Sequence, residues 1–228
     1  MSTEHRKRIA SGLGYAVVML GSAWLSPWAF VVVGGGLLVF AVREARALFQ
    51  GDALALQIMG LALVGLSFLC LIALAFILPA ASLLSLLISA FIFDTFAYYG
   101  GKFLKGPKLI PRVSPQKTWA GLLVGIAGLV VCQLLLSQFV APFPFLRWVA
   151  AGSDQSTFFV IRSFDFLLLL SLLFLMGDLS ISFLKRRKGM KDTGALLPGH
   201  GGILDRADSL LFVGPLFVLL SNWIDLAA

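Results

Sequence analysis

Charge is scarce in this sequence. Asp, Glu, Lys and Arg make up 13% of its 228 residues, where a soluble domain carries about 25%. That shortage excludes an ordinary water-soluble domain. Cysteine is scarcer still: Cys70 and Cys132 each lie deep in an apolar run. Neither a disulfide framework nor a thiolate metal motif can be read from them, and both are expected as small core residues. No internal repeat, low-complexity tract or composition shift marks a second domain. Acids are outnumbered, 11 against 18 Lys and Arg, for a net charge of +7. A nucleic-acid surface would need those cations on a soluble scaffold. Here they stand in short blocks between apolar runs, which excludes nucleic acid as a partner and reads instead as topology and as contacts for anionic phosphates.

What the sequence has in abundance is hydrophobicity, 59% of residues, with a mean hydropathy of +0.97. A spanning helix needs about 20 mostly apolar residues. Seven segments qualify as candidates, at about 9–25, 28–42, 54–78, 80–99, 119–140, 164–184 and 209–226. The expected fold is therefore an all-α polytopic transmembrane helix bundle of about seven spans, one integral membrane domain over 1–228. Within it, 1–52 forms an N-terminal hairpin, 53–140 the central helices, and 164–228 the C-terminal helices with the loop 177–209. The first two spans are short and Gly-rich, joined by Ser26-Pro27, and are expected as a tight or partly re-entrant hairpin. Arg6-Lys7-Arg8 before the first apolar stretch imitates a secretory leader. Further spans follow at once and no small-x-small cleavage site intervenes, so a retained first helix is expected.

The cations test this map. Sixteen Lys and Arg fall at the N-terminus and in the connections after spans two, four and six, and only Arg147 and Arg162 fall on the other side. Such a bias places the N-terminus and those three connections in the cytoplasm. The expected location is the cell inner (plasma) membrane, multi-pass, with the active site cytoplasmic. The segments 100–118 and 185–208 are the longest and most polar on that side, and the chemistry is sought there.

Two acids lie inside spans. Asp94 precedes Lys102 by eight residues and Asp178 precedes Lys185 by seven, so both lie roughly 10–12 Å below the cytoplasmic boundary at the α-helical rise. A carboxylate in a span costs a few kcal/mol or more, and such residues usually face a polar cavity. Two acids at matched depth are expected to share one pocket. Segment 177–209 adds Asp192, Asp205 and Asp208, six cations, and a turn, Pro198-Gly199-His200-Gly201-Gly202. Carboxylates without clustered Cys or His suit a hard ion such as Mg²⁺, which binds through one or two carboxylates plus substrate phosphates. Lys and Arg neutralise phosphate, and glycines let backbone N–H groups approach it.

This segment resembles the signature of the phosphatidate cytidylyltransferases (CDP-diacylglycerol synthases). The matching residues are Ser182, Lys185, Arg186, Lys191, Asp192, Pro198, His200, Gly201, Gly202, Asp205, Arg206 and Asp208. A second block, Asp94-Thr95-Phe96-Ala97-Tyr98 followed by Ser114-Pro115-Gln116-Lys117-Thr118-Trp119, is similar to that family's other elements. Together they cover about a quarter of the chain. The chain departs from the pattern at Ala120 and Ile181, where acids are usual, and at Ala207, where a larger residue is usual. With Asp94, Asp178, Asp205 and Asp208 retained, an active variant is expected.

The resemblance implies transfer of the cytidylyl group of CTP to phosphatidic acid, giving CDP-diacylglycerol and pyrophosphate. It implies Asp178, Lys185, Asp205 and Asp208 as catalytic residues, with Asp178, Asp205 and Asp208 holding Mg²⁺ and a monovalent cation left open beside it. Asp94, Ser114, Lys117, Ser182, Arg186, Lys191, Asp192, His200, Gly201, Gly202 and Arg206 would bind substrate, His200 through phosphate or through turn geometry. CTP, phosphatidic acid and membrane lipids are the implied partners, and a homodimer is kept open as the assembly. The competing expectations are a related nucleotide-dependent lipid kinase or transferase, and an ion-coupled transporter. The transporter would need polar residues continuing into the other leaflet, and these spans show few.

Overall fold

A computed structural model describes residues 3–139, 156–196 and 201–225. Seven long helices occupy the seven expected segments among these residues: α1 (Thr3–Leu25), α2 (Pro27–Phe49), α3 (Leu54–Ile77), α4 (Ala80–Leu104), α5 (Trp119–Phe139), α6 (Ser156–Arg187) and α8 (Val213–Asp225). The short helix α7 (Leu204–Ala207) and a 3₁₀ turn (Asp208–Leu210) precede α8. Among the described residues four stretches, Pro27–Phe49, Leu54–Ile77, Ala80–Leu104 and Asp165–Arg187, are long and apolar enough to cross a bilayer. The apolar parts of α1 and α5 are shorter, Ser11–Leu25 and Trp119–Gln133. The chain is an all-α integral membrane protein.

Local chemistry explains the boundaries. Ser26 caps α2, its hydroxyl accepting the Ala29 N–H at 3.1 Å, and Pro27 takes the first helical position. There a missing N–H costs nothing, so the first two helices turn sharply as a hairpin. Helix α2 then runs seven residues past the expected end at 42, because Ala41, Ala45 and Leu48 continue one buried stripe. Helix α6 ends in a Schellman-type closure: Gly189 has φ 66°, its N–H donates to Arg186 O at 3.0 Å, and Met190 N–H donates to Lys185 O at 2.9 Å.

One element was not expected. The stretch after α4 forms a two-stranded antiparallel hairpin, β1 (Lys108–Ile110) with β2 (Ser114–Thr118). Pro107, Pro111 and Pro115 deny this stretch a helix. Thr118 ends β2 and caps α5, its buried hydroxyl accepting the Gly121 N–H at 3.0 Å.

Helices α4 and α5 pack closely. A Cβ on Gly121 would lie 2.6 Å from the Ala97 carbonyl oxygen, and one on Gly125 would lie 2.9 Å from the Phe93 ring. Small residues of this kind let spanning helices approach within lipid. Deeper along the same seam, the buried Gln133 side-chain amide donates to Ser89 Oγ at 2.6 Å. One apolar cluster fills the bundle around Leu74, Leu86, Leu129, Leu170, Phe174 and Phe217. A second seats the segment after α6, with Ile203, Leu204 and Ala207 packed on Ala41, Ala45 and Leu48 of α2 and on Ile181 of α6.

Candidate active site

The basic connections meet at one end of the bundle. Arg187 and Lys188, at the end of α6, reach Asp52 between α2 and α3 at 2.9 and 3.0 Å, and Lys188 also donates to the Gln50 carbonyl at 2.9 Å. The hairpin brings its own cation across, and Lys117 forms an ion pair with Asp178 Oδ2. The other Asp178 oxygen, Oδ1, accepts from Ser182 at 3.1 Å, one turn further along α6.

Two further acids converge on that pair. Asp94 Oδ2 accepts the Ser209 hydroxyl at 2.8 Å, and Ser209 N–H donates to Asp208 Oδ1 at 2.9 Å. Burial, and then the charges of Asp178 and Asp94, push the Asp208 carboxyl well above the usual carboxylate range. The close approach depends on Gly177, since any Cβ there would collide with the Asp208 carbonyl oxygen. Asp94 and Asp178 therefore lie close enough to act on one another, and Asp208 stands with them.

Asp205 stands in a different network. Its Oδ1 accepts from Lys185 Nζ at 2.7 Å, while Oδ2 accepts from Thr193 N–H at 2.8 Å, Thr193 Oγ1 at 3.0 Å and Gly202 N–H at 2.9 Å. Burial works to raise this carboxyl. The hydrogen bonds from Lys185, Gly202 and Thr193 and the Lys185 charge outweigh it and hold the carboxyl below its ordinary value. Gly201 has φ 78°, and a Cβ there would lie 2.6 Å from Asp205 Oδ2. A left-handed backbone and an abutting carboxylate leave that position to glycine.

The remaining expected site residues are dispersed. Ser114 opens β2 opposite Ile110. Arg186, Lys191, Asp192 and Arg206 are exposed, Arg186 donating to the Met190 carbonyl at 3.4 Å. His200, with Pro198 and Gly199, lies outside the described residues. The expected metal trio of Asp178, Asp205 and Asp208 divides between the two networks: Asp178 and Asp208 face Asp94, and Asp205 faces Lys185, Thr193 and Gly202. No three His, Cys, Asp or Glu side chains form a metal-holding group among the described residues.

Ala120 is half-buried beside Gly106. Ile181 is 1% exposed in the cluster against α2 and Ala207 is 5% exposed, so the three departures from the family pattern sit in packed surroundings. The motifs gave no sign of Glu44. It lies on α2 among Arg43 and Arg46, yet its carboxylate accepts Ile203 N–H at 2.9 Å, Leu204 N–H at 2.8 Å and Thr193 Oγ1 at 2.7 Å. Its one available signal was an acid standing where the pattern of the sequence supplies cations.

Geometrically, then, this end of the bundle offers a cluster of three acids with one lysine. Beside it a lysine-bearing loop is pinned by a carboxylate. Residues 52–224 match the cytidylyltransferase family. Among curated relatives, a phosphatidate cytidylyltransferase of Rickettsia felis is 41% identical over 130 residues, 56% of this chain and 53% of the relative. One of Brucella abortus is 43% identical over 126 residues, 55% of this chain and 41% of the relative. The chloroplastic phosphatidate cytidylyltransferase 4 of Arabidopsis thaliana is 44% identical over 123 residues, 54% of this chain and 28% of the relative. The chain thus spans about half the length of the first of these and less of the others. With three quarters of its residues inside the family match, and with the matched acids and lysines meeting at one end of the bundle, the chain belongs to the cytidylyltransferase family.

Proposed function

We propose that this protein transfers the cytidylyl group of CTP to phosphatidic acid at the cytoplasmic face of the cell membrane, releasing pyrophosphate and leaving CDP-diacylglycerol in the bilayer. The observation that carries the reading is the convergence of Lys117, Asp178, Asp94 and Asp208, drawn from two separate motifs, next to the Lys185–Asp205 pair. The names of the relatives supply the nucleotide and the lipid.

The donor set suits a hard divalent cation. It is all oxygen, and the mutual repulsion of Asp94, Asp178 and Asp208 is the kind of charge excess that Mg²⁺ relieves. Asp178 and Asp208 would hold the ion, with Asp94 orienting a ligand beside them. Mg²⁺ bound there would neutralise charge on the triphosphate. Asp205 takes another role, fixing Lys185 and the turn at Gly202.

Phosphatidate oxygen is already a competent nucleophile, so no strong base is needed. It attacks the α-phosphorus of CTP in line, and the P–O bond to pyrophosphate breaks. The protein contributes positioning and charge. Lys117, paired with Asp178, and Lys185, paired with Asp205, stand at the acid cluster, and Arg186, Lys191 and Arg206 supply further cations for triphosphate or lipid phosphate. Acids slightly below the interface suit a substrate whose tails stay in lipid while its headgroup meets a soluble nucleotide.

The test is conversion of radiolabelled CTP by the purified protein in phosphatidic acid–detergent micelles. Label in the organic phase as CDP-diacylglycerol is the expected result. Label appearing only with polyprenol acceptors, or with ATP in place of CTP, would overturn the assignment.

A further inference from the structure

Glu44 belongs to none of the motifs and precedes the 52–224 family match, yet it grips the signature segment at two separate points. Thr193 donates to it at one, and Ile203 and Leu204 donate at the other. The half-buried carboxylate is closely approached by backbone. A Cβ on Gly194 would lie 2.6 Å from Oε1, and one on Gly202 would collide with Oε2. Thr193 is the bridge: its hydroxyl lies 2.7 Å from Glu44 Oε2 and 3.0 Å from Asp205 Oδ2. One hydroxyl proton serves two carboxylates, so Glu44, Thr193, Asp205 and Lys185 form a single chain of contacts. Its anchor is a 23-residue helix packed on α3 through the second apolar cluster.

We propose that Glu44 is a positioning residue for the nucleotide. It clamps Thr193 and Gly202–Leu204 so that Asp205 and Lys185 stand ready for the triphosphate, which makes α2 part of the CTP site. This rests on the function proposed above. The kinetic signature follows from the clamp acting before binding. A loosened segment occupies the competent arrangement for only a fraction of the time, and apparent affinity falls by that fraction. Bound CTP restores the arrangement, so turnover at saturation is kept.

Glu44→Gln is the informative change, because its amide nitrogen must face a backbone N–H, donor against donor. With wild-type protein in phosphatidic acid micelles, the measurements are KM for CTP, kcat, and amide hydrogen exchange of the peptides containing 190–196 and 201–206. Glu44→Gln is expected to raise KM about tenfold, the effect of losing one charge-assisted hydrogen bond, with kcat within about threefold and faster exchange in both peptides. Arg43→Gln, altering the adjacent cation that lies 5.9 Å from the Phe40 ring, should match wild type in all three. Thr193→Val, which keeps both backbone bonds to Glu44, should shift KM and exchange in the same direction by less, and it decides the matter should Glu44→Gln not fold. A fall in kcat at unchanged KM, the mark of a smaller folded fraction, would overturn the proposal, as would unchanged exchange. If wild-type protein transfers no cytidylyl group, faster exchange still establishes the clamp while its nucleotide role falls with the function.

Discussion

Lys117 and Asp178 are ion-paired, so the cation of the hairpin motif is seated on the acid of the α6 motif. Both are about a quarter exposed, which leaves the pair open to competition from an incoming phosphate and an incoming cation. Thr118 capping α5 on one side of Lys117, and Gly177 admitting the Asp208 turn on one side of Asp178, hold the two partners in register.

Removing the acid is therefore expected to cost more than one ion pair. Asp178→Asn preserves shape but deprives Lys117, and the Mg²⁺ proposed above, of their anion, and turnover should fall at least about 100-fold, or about 2.7 kcal/mol of transition-state stabilisation. Lys117→Gln should cost at least about tenfold. Asp154→Asn, outside the described residues, is the control and should stay near wild type. Extracted yield and monodispersity are measured beside the assay, since Asp178 lies in a span. A well-folded Asp178→Asn protein retaining over about half of wild-type turnover would remove this residue from the mechanism.

The depressed Asp205 carboxyl has a pH consequence. A carboxyl held below its unfolded value stabilises the fold above the ordinary aspartate range, around pH 4, and that contribution disappears as pH falls through the folded value. Melting temperatures of wild type and Asp205→Asn should differ at pH 7 and converge in acid. A gap that widens below about pH 4 would contradict the network drawn around Asp205.

Chelation tests the proposed ion directly. With carboxylates as the only protein ligands, EDTA should abolish cytidylyl transfer and added Mg²⁺ or Mn²⁺ should restore it. Full turnover in chelator would show that the acids act without a metal.

Sidedness can be read by labelling. Lys108→Cys and Ala195→Cys place thiols at exposed positions of the hairpin and the signature segment. Impermeant reagents should modify both from the cytoplasmic side only. Modification of position 195 from outside would invert the assigned orientation.

Much of this architecture could be read from residue order. The seven apolar segments predicted the seven long helices because lipid allows few alternatives to a helix for a run of that length. The meeting of Asp94 with Asp178 followed from matched depth alone. Depth says nothing about lateral placement, and there the reading stopped. Asp205 is near Asp208 in sequence but turns to Lys185 and Thr193, because α7 lasts only four residues before the 3₁₀ turn redirects the chain. The hairpin was hidden because three prolines exclude a helix without specifying a strand pair. Glu44 was missed because its donors are 149 to 160 residues away, and no local pattern encodes a partner at that distance.

The Gln133–Ser89 bond also bears on how the molecule is made. A span entering hydrocarbon alone would carry an amide with nothing to bond, at a cost of a few kcal/mol. Helix α4 leaves the ribosome first, so its serine hydroxyl is already waiting when α5 arrives. The two helices therefore suit delivery to the bilayer as a pair, with the hairpin between them drawn to its final surface in the same step. Crosslinking between positions 89 and 133 in nascent chains halted just after α5 would register that pairing, and its absence until the full chain is released would refute it.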